Sequence, residues 1–333
     1  MAEADPFEGK LRDAAGPAAG HGVYMINQTM GSREWGILLF LAVIWGGSFF
    51  FIKVAVTHVA PLTFVWLRVT IAAAALLAFT TLRGERSVVP RAVIGPMLVV
   101  AVLNNVLPFL LFAWANTQIA SGLTSILNAT TPLWGVLLAH LYTDDEKLSR
   151  GRLFGVMLGI GGVALMIGPA LLGNFGTGLI AQLACLFGAF SYAVAGVYAR
   201  RFKRMGISAL TVTSSQLTMS AVVMLPLALV IDQPWTAAFP PLAAWGAILG
   251  LSLVCTAFAY VLYFRLIETS GASNALLVPI LVPPTAILLG GLFLGESLHA
   301  RDFGGLGLIA LGLAAIDGRP FSFSRGPSLP RAA

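Results

Sequence analysis

Apolar residues fill long, nearly unbroken runs along this chain, separated by short polar or charged turns. Breaking the runs at charges, Pro/Gly clusters and polar turns leaves ten segments. They are Trp35–Val56, Leu62–Leu82, Ala92–Ala115, Ser121–Tyr142, Leu153–Leu172, Gly178–Tyr198, Leu210–Ile231, Leu242–Phe264, Ser273–Phe293 and Phe303–Ile316. Most approach the roughly 20 apolar residues that carry an α-helix across a bilayer. They are too long for strands and show no alternation. The connections from Ala115 to Ser121 and from Gly168 to Gly178 leave no room for an extramembrane domain. The pattern predicts an all-α integral membrane protein of ten transmembrane helices.

Composition agrees. Only 10% of the 333 residues are charged, 58% are apolar and mean hydropathy is +0.87. A soluble fold of this length could not cover its surface with so few polar groups. That excludes a globular enzyme, a disordered chain and a nucleic-acid binder. The net charge of +6 reads as topology instead. Of the 20 Lys and Arg, all but Lys53, Arg68 and Arg301 fall in the two tails or in the turns after every even-numbered segment. Cytoplasmic loops of membrane proteins carry such an excess, so both termini are expected in the cytoplasm, at the cell inner membrane. Residues 1–34 show no cleavable leader pattern and are read as a flexible cytoplasmic tail, as are residues 318–333. Cys185 and Cys255 sit in apolar runs and make neither a disulfide framework nor a metal spacing.

The chain also repeats. Tyr142-Thr-Asp-Asp-Glu146-Lys-Leu148 resembles Leu294-Gly-Glu296-Ser-Leu298, and the pairs Gly155/Gly305 and Gly162/Gly312 keep the same offset. Two five-helix units follow, residues 35–172 and 173–317. Five is odd, so the second unit enters the membrane from the opposite side, giving inverted repeats around a central cavity.

These residues carry a resemblance. Trp45-Gly-Gly-Ser48-Phe49 through Lys53, Arg68, Pro132 with its counterpart Pro283, and the Glu146-x-Leu148 and Glu296-x-Leu298 signatures resemble the ten-helix EamA-type exporters of the drug/metabolite transporter superfamily. Within it the chain is similar to the branch that exports aromatic amino acids and paraquat. The resemblance spans roughly residues 35 to 317. It implies a basket of helices around a central cavity, and a substrate drawn from amino acids, aromatic metabolites or organic cations.

The chemistry available inside the membrane is neutral. All 14 carboxylates and the four histidines lie in tails, loops or helix ends. No acid pair, metal cluster or nucleophile–base pair is expected, hence no cofactor, no metal and no enzyme activity. Coupling through a buried carboxylate is not expected either. Ser121, Thr124, Ser125, Asn128 and Thr131 share one helical face, and Ser252, Thr256, Tyr260 and Tyr263 share another. Asn104, Asn105 and Asn116 lie near Phe109 and Phe112; Gln182, Ser191 and Tyr192 follow, and Asn274 opens the ninth segment. Such groups must face other helices or a wet cavity. Trp45 lies mid-segment, away from the interface where belt tryptophans belong. The expected substrate-binding set is Trp45, Ser48, Asn104, Phe109, Asn128, Thr131, Gln182, Tyr192, Tyr260, Tyr263 and Asn274. Interhelical hydrogen bonding is the competing role for the polar members of this set, and core packing for Trp45.

Three further features carry expectations. Lys53 and Arg68 are read first as snorkelling cations or structural partners, with attraction of a substrate carboxylate as the alternative. Pro108, Pro132, Pro279 and Pro283 are expected to interrupt helices and serve as gates or hinges. Gly151, Gly155 and Gly159 form a small-residue stripe that fits either an internal helix contact or a seam between copies. Together these predict a carrier exporting amino acids and related metabolites by alternating access. A channel-like facilitator and a non-transporting scaffold are the alternatives.

Overall fold

The computed structural model describes residues 30–84, 90–142, 149–172, 176–275 and 277–317. Most of the N-terminal tail, the C-terminal tail of residues 318–333 and the Glu146-x-Leu148 signature lie outside the described residues. The described residues form helices joined by turns and short irregular stretches, with no strand among them. The helices are α1 (Ser32–Val56), α2 (Pro61–Leu82), α3 (Arg91–Gln118), α4 (Ser121–Tyr142), α5 (Arg150–Leu172), α6 (Thr177–Arg204), α7 (Ala209–Asp232), α8 (Leu242–Ser270), α9 (Val278–Leu294) and α10 (Ala300–Asp317). Among the described residues, seven helices are long and apolar enough to cross a membrane: α1 to α4 and α6 to α8. Gly151–Ile167 and Val278–Leu294 are shorter apolar stretches. The chain is therefore an integral membrane protein.

The helix ends follow local chemistry. α2 opens on Pro61, whose missing N–H costs nothing in a first turn, and Asp232 accepts from Thr63 N at 2.7 Å. Ser208 accepts from Thr211 N at 3.1 Å to cap α7. α9 ends at Gly295, whose φ of 64° is the left-handed conformation that glycine adopts without strain. That turn folds Glu296 back onto the bundle.

Two of the segments expected to carry interruptions, the fourth and the ninth, are broken. α4 runs as Ser121–Asn128 and Thr131–Tyr142, with Ala129–Thr130 between. The ninth segment splits into a single turn, Ala272–Ala275, and α9 proper. Pro132 and Pro279 sit in the first turns of the restarted helices, where proline fits; Pro283 and Pro284 lie inside α9. Pro108 is buried in α3, just after a wide π turn at Val102–Val106. Two more wide turns lie at Ala228–Asp232 in α7 and Gly250–Phe258 in α8. Such turns shift the side chains beyond them off a regular helical stripe.

Packing pairs α1 with α8 and α9, α2 with α7 and α8, α6 with α3 and α4, and α5 with α10. Bands of large apolar side chains point outward: Leu39, Phe40 and Val43 on α1, Leu153, Phe154 and Met157 on α5, Leu288 and Leu292 on α9. In water such faces would associate; in a bilayer they meet lipid tails. α5 and α10 cross through glycine. A Cβ at Gly155 would collide with Gly312 O, and one at Gly162 would stand 2.6 Å from Gly305 O. Gly159 is closed by Leu133, and a Cβ at Gly151 would stand 3.9 Å from Ala315 O. Of the two readings of the Gly151, Gly155 and Gly159 stripe, the structure forms the internal helix contact at Gly155 and Gly159.

Gly162→Leu is expected to force α5 and α10 apart and cost about 1–3 kcal/mol by overpacking. Gly161→Leu, whose Cβ meets nothing within 4 Å, is expected to be tolerated. Folded yield and melting temperature in detergent check the pair; equal behaviour would refute the glycine crossing.

Candidate functional site

One end of the bundle gathers the turns at 57–60, 119–120 and 295–299. Lys53, near the end of α1, donates to Asn116 O at 2.6 Å and Ile119 O at 3.0 Å. These carbonyls close α3, where a cation complements the helix dipole. Ser121 N donates to both Glu296 carboxylate oxygens at 2.9 Å, and Ser121 Oγ donates to Oε2 at 2.6 Å. Glu296 therefore caps α4 from a site 175 residues away, and its charge faces Lys53. Gly290 leaves room for this: a Cβ there would meet Glu296 Oε2 at 2.5 Å. Lys53 keeps the expected structural role.

Deeper in the bundle, Arg68 departs from the expected snorkelling. It is only 8% exposed, and seven residues into α2 it lies about 10 Å from the helix start. Its Cζ sits 3.6 Å from the centre of the Phe109 ring, and its Nε donates to Thr256 Oγ1 at 3.3 Å. Tyr192 and Tyr260 lie within electrostatic range. Cation–π contact and a central hydroxyl hold the side chain inward, away from the headgroups. Asn104 Nδ2 donates to Gln216 Oε1 at 3.3 Å, and the Asn104 amide reaches the Tyr260 hydroxyl. The wide turns in α3 and α8 hold Asn104 and Thr256 respectively.

Aromatic rings surround this centre. Tyr192 stacks on Phe112 at 5.8 Å and meets Phe109 edge-on at 6.5 Å. Trp45 lies 5.2 Å from Tyr263, and Tyr260 stacks on Phe264 at 6.0 Å. Trp45, Asn104, Tyr192, Tyr260 and Tyr263 are each half-buried, so a wall of rings and amides keeps partial access.

The remaining expected residues divide. Asn128 and Gln182 are half-buried, and Asn128 Oδ1 and Gln182 Oε1 are buried acceptors without a partner. Ser48 donates to Trp45 O at 2.5 Å, Thr131 to Asn128 O at 2.7 Å and Asn274 to Ser270 O at 2.7 Å. The Ser48 and Thr131 hydroxyls thus bond back within α1 and α4, and Asn274 ties the short turn at Ala272–Ala275 to the end of α8. Sequence reasoning passed over Gln216; Thr256 and Phe112 were read on interior faces but left out of the expected binding set. The signal for Arg68 was present, since it is the one basic residue well inside a helical run.

Two clefts lie elsewhere. One of about 230 Å³ is lined by His58, Thr63, Trp66, Asp232, Phe239 and Trp245 at the Glu296 end. The other is wholly apolar and opens outward between α1, α8 and α9, beside Phe50, Leu289 and Phe293. The chemistry of the interior lies with the Arg68 cluster, not with these surface features. Among the described residues no group of His, Cys, Asp or Glu could hold a metal.

Comparison with known proteins gives this arrangement its family. The model of the EamA-like transporter family matches twice, over residues 34–168 and 179–316. The chain belongs to the EamA-like transporter family. Similar relatives include the uncharacterized transporter YoaV of Bacillus subtilis, 24% identical over 86% of this chain and 97% of its own. The uncharacterized inner membrane transporter YedA of Escherichia coli is 27% identical over 88% of this chain and 93% of its own. A protein named a probable terminal-alkyne amino-acid exporter, from Streptantibioticus cattleyicolor, is 24% identical over 89% of this chain and 97% of its own. A solved crystal structure shares the fold, with a TM-score of 0.62 and 18% identity over 86% of this chain and 97% of that one. The protein is a membrane transporter of the EamA family.

Glu296→Ala is expected to leave the α4 N-terminus uncapped and lower stability by about 1–3 kcal/mol. Glu296→Gln, which keeps an acceptor, should fall between it and the parent. Melting temperatures in detergent check the order; an unchanged Glu296→Ala would mean that the corner is held elsewhere.

Proposed function

We propose that this EamA transporter exports amino acids and related aromatic or cationic metabolites across the cell inner membrane by alternating access. The observation that carries the reading is the half-buried wall of Trp45, Asn104, Tyr192, Tyr260 and Tyr263, drawn from both family-matched regions. Aromatic faces suit apolar side chains and organic cations, while amides and phenols orient polar groups. The S. cattleyicolor relative is named for amino-acid export, and YedA for the inner membrane, which supports both parts of the proposal.

The structure supports rocking in two ways. Gly155 meets Gly312 while Gly162 meets Gly305, and the sequence repeat equates Gly155 with Gly305 and Gly162 with Gly312. A two-fold axis in the membrane plane would generate such exchanged contacts, as ten spans in two inverted repeats require. The breaks in α4 and ahead of α9 then fall in corresponding helices, with Pro132 and Pro279 beside them, Pro283 inside α9 and Pro108 in α3. The distribution of Lys and Arg supports an orientation with both termini in the cytoplasm and the Glu296 end outside.

Proteoliposomes should show saturable uptake of at least one member of a labelled amino-acid panel. Uptake should not depend strictly on a proton gradient, because no carboxylate lies mid-helix among the described residues. Asn128→Leu, which removes an acceptor without a protein partner, should reduce uptake about tenfold at unchanged expression. Linear, unsaturable flux would favour a channel; no flux of any amino acid would sink the substrate claim.

A further inference from the structure

We propose that Arg68 binds the carboxylate of the transported amino acid and sets the preference for carboxylated over plain amine substrates. The inference rests on the amino-acid reading above and names the group that recognises one end of the substrate.

A guanidinium in a membrane interior is costly unless its charge is paired and its N–H groups are accepted. Arg68 is buried, yet among the described residues no carboxylate pairs with it. Its protein partners are neutral: the Thr256 hydroxyl on Nε, the Phe109 ring beneath Cζ, and Tyr192, Tyr260 and Cys255 around it. Phe109 attracts the charge but has no lone pair for an N–H group. The terminal N–H groups find no protein acceptor among the described residues. What remains is a planar fork of donors, the geometry that a carboxylate fills with two parallel hydrogen bonds.

The surroundings define the rest of the ligand. Tyr192 and Tyr260 are half-buried beside the guanidinium, so an apolar or aromatic substrate side chain would meet ring faces there. A single buried cation suits a monoanionic carboxylate. A phosphorylated substrate would call for a second, and α7 to α9 hold no basic residue before Arg265, near the end of α8. Arg68 and Phe109 come from the first family-matched region, and Tyr192, Thr256 and Tyr260 from the second. A carboxylate here would neutralise a charge shared by the two halves that are proposed to rock.

A purely structural Arg68 would staple α2 to α3 and α8 and be indifferent to substrate chemistry. The test is therefore a matched set: an aromatic amino acid, its methyl ester and its decarboxylated amine, assayed in proteoliposomes holding the full-length protein. The parent is expected to prefer the amino acid over the ester and amine on the order of 100-fold. Arg68→Gln should lose that preference while retaining uptake of the amine, and Arg68→Lys should restore part of it. If Arg68→Gln does not fold, thermal stabilisation of the purified parent decides: the amino acid should raise its melting temperature and the methyl ester should not. Equal uptake or equal stabilisation by amino acid and ester overturns the assignment alone. So does an Arg68→Gln protein that keeps the preference. Absence of saturable uptake of every amino acid overturns the carrier reading, and the assignment with it.

Discussion

Hydrocarbon offers no hydrogen bonds, and this constraint decides where the helices of this protein can break. The corner between α3 and α4 frees backbone groups at the edge of the bundle. Lys53 takes the last carbonyls of α3, and Glu296 takes the first N–H of α4. Asp232 does the same for Thr63 N at the start of α2, and Asn105 and Ser220 join α3 to α7. Each of these bonds reaches across to another helix. Capping and tertiary assembly are therefore one process here, where a soluble helix would turn to water.

Much of the fold was legible in the sequence because lipid imposes so coarse a rule. Long apolar runs can only be helices, and the runs from Trp35 to Val56 and from Leu242 to Phe264 became α1 and part of α8. The glycine stripe on α5 was legible as a contact surface but not by partner. Only the packed structure sets Gly155 on Gly312, because small residues permit close approach without naming what approaches. The wide turns at Val102–Val106 and Gly250–Phe258 were invisible, since a pattern read at 3.6 residues per turn assumes that the turn does not change.

The site was less legible for a related reason. Ser48 and Thr131 look like cavity donors in a list of polar residues, yet each hydroxyl bonds back to a carbonyl three residues earlier. Sequence gives donors and acceptors but not their local alternatives. Arg68 failed in the other direction. Its depth fits a snorkelling cation, and only the Phe109 ring and the Thr256 hydroxyl show that it turns inward. Low overall charge points to neutral recognition, but a single inward cation outweighs that average when the surrounding rings hold no opposing charge.

The bond between Ser121 and Glu296 also bears on biogenesis. Translation delivers the start of α4 long before residue 296 exists, so the first half enters the membrane with that terminus unanswered. Water or lipid headgroups must serve it until α9 has inserted and Gly295 has turned the chain back. The cap closes only once α9 is made and Gly295 has turned, so this corner is completed by the second family-matched region. A first half released alone would expose an unsatisfied helix end, the kind of defect by which membrane quality control can tell fragments from whole proteins.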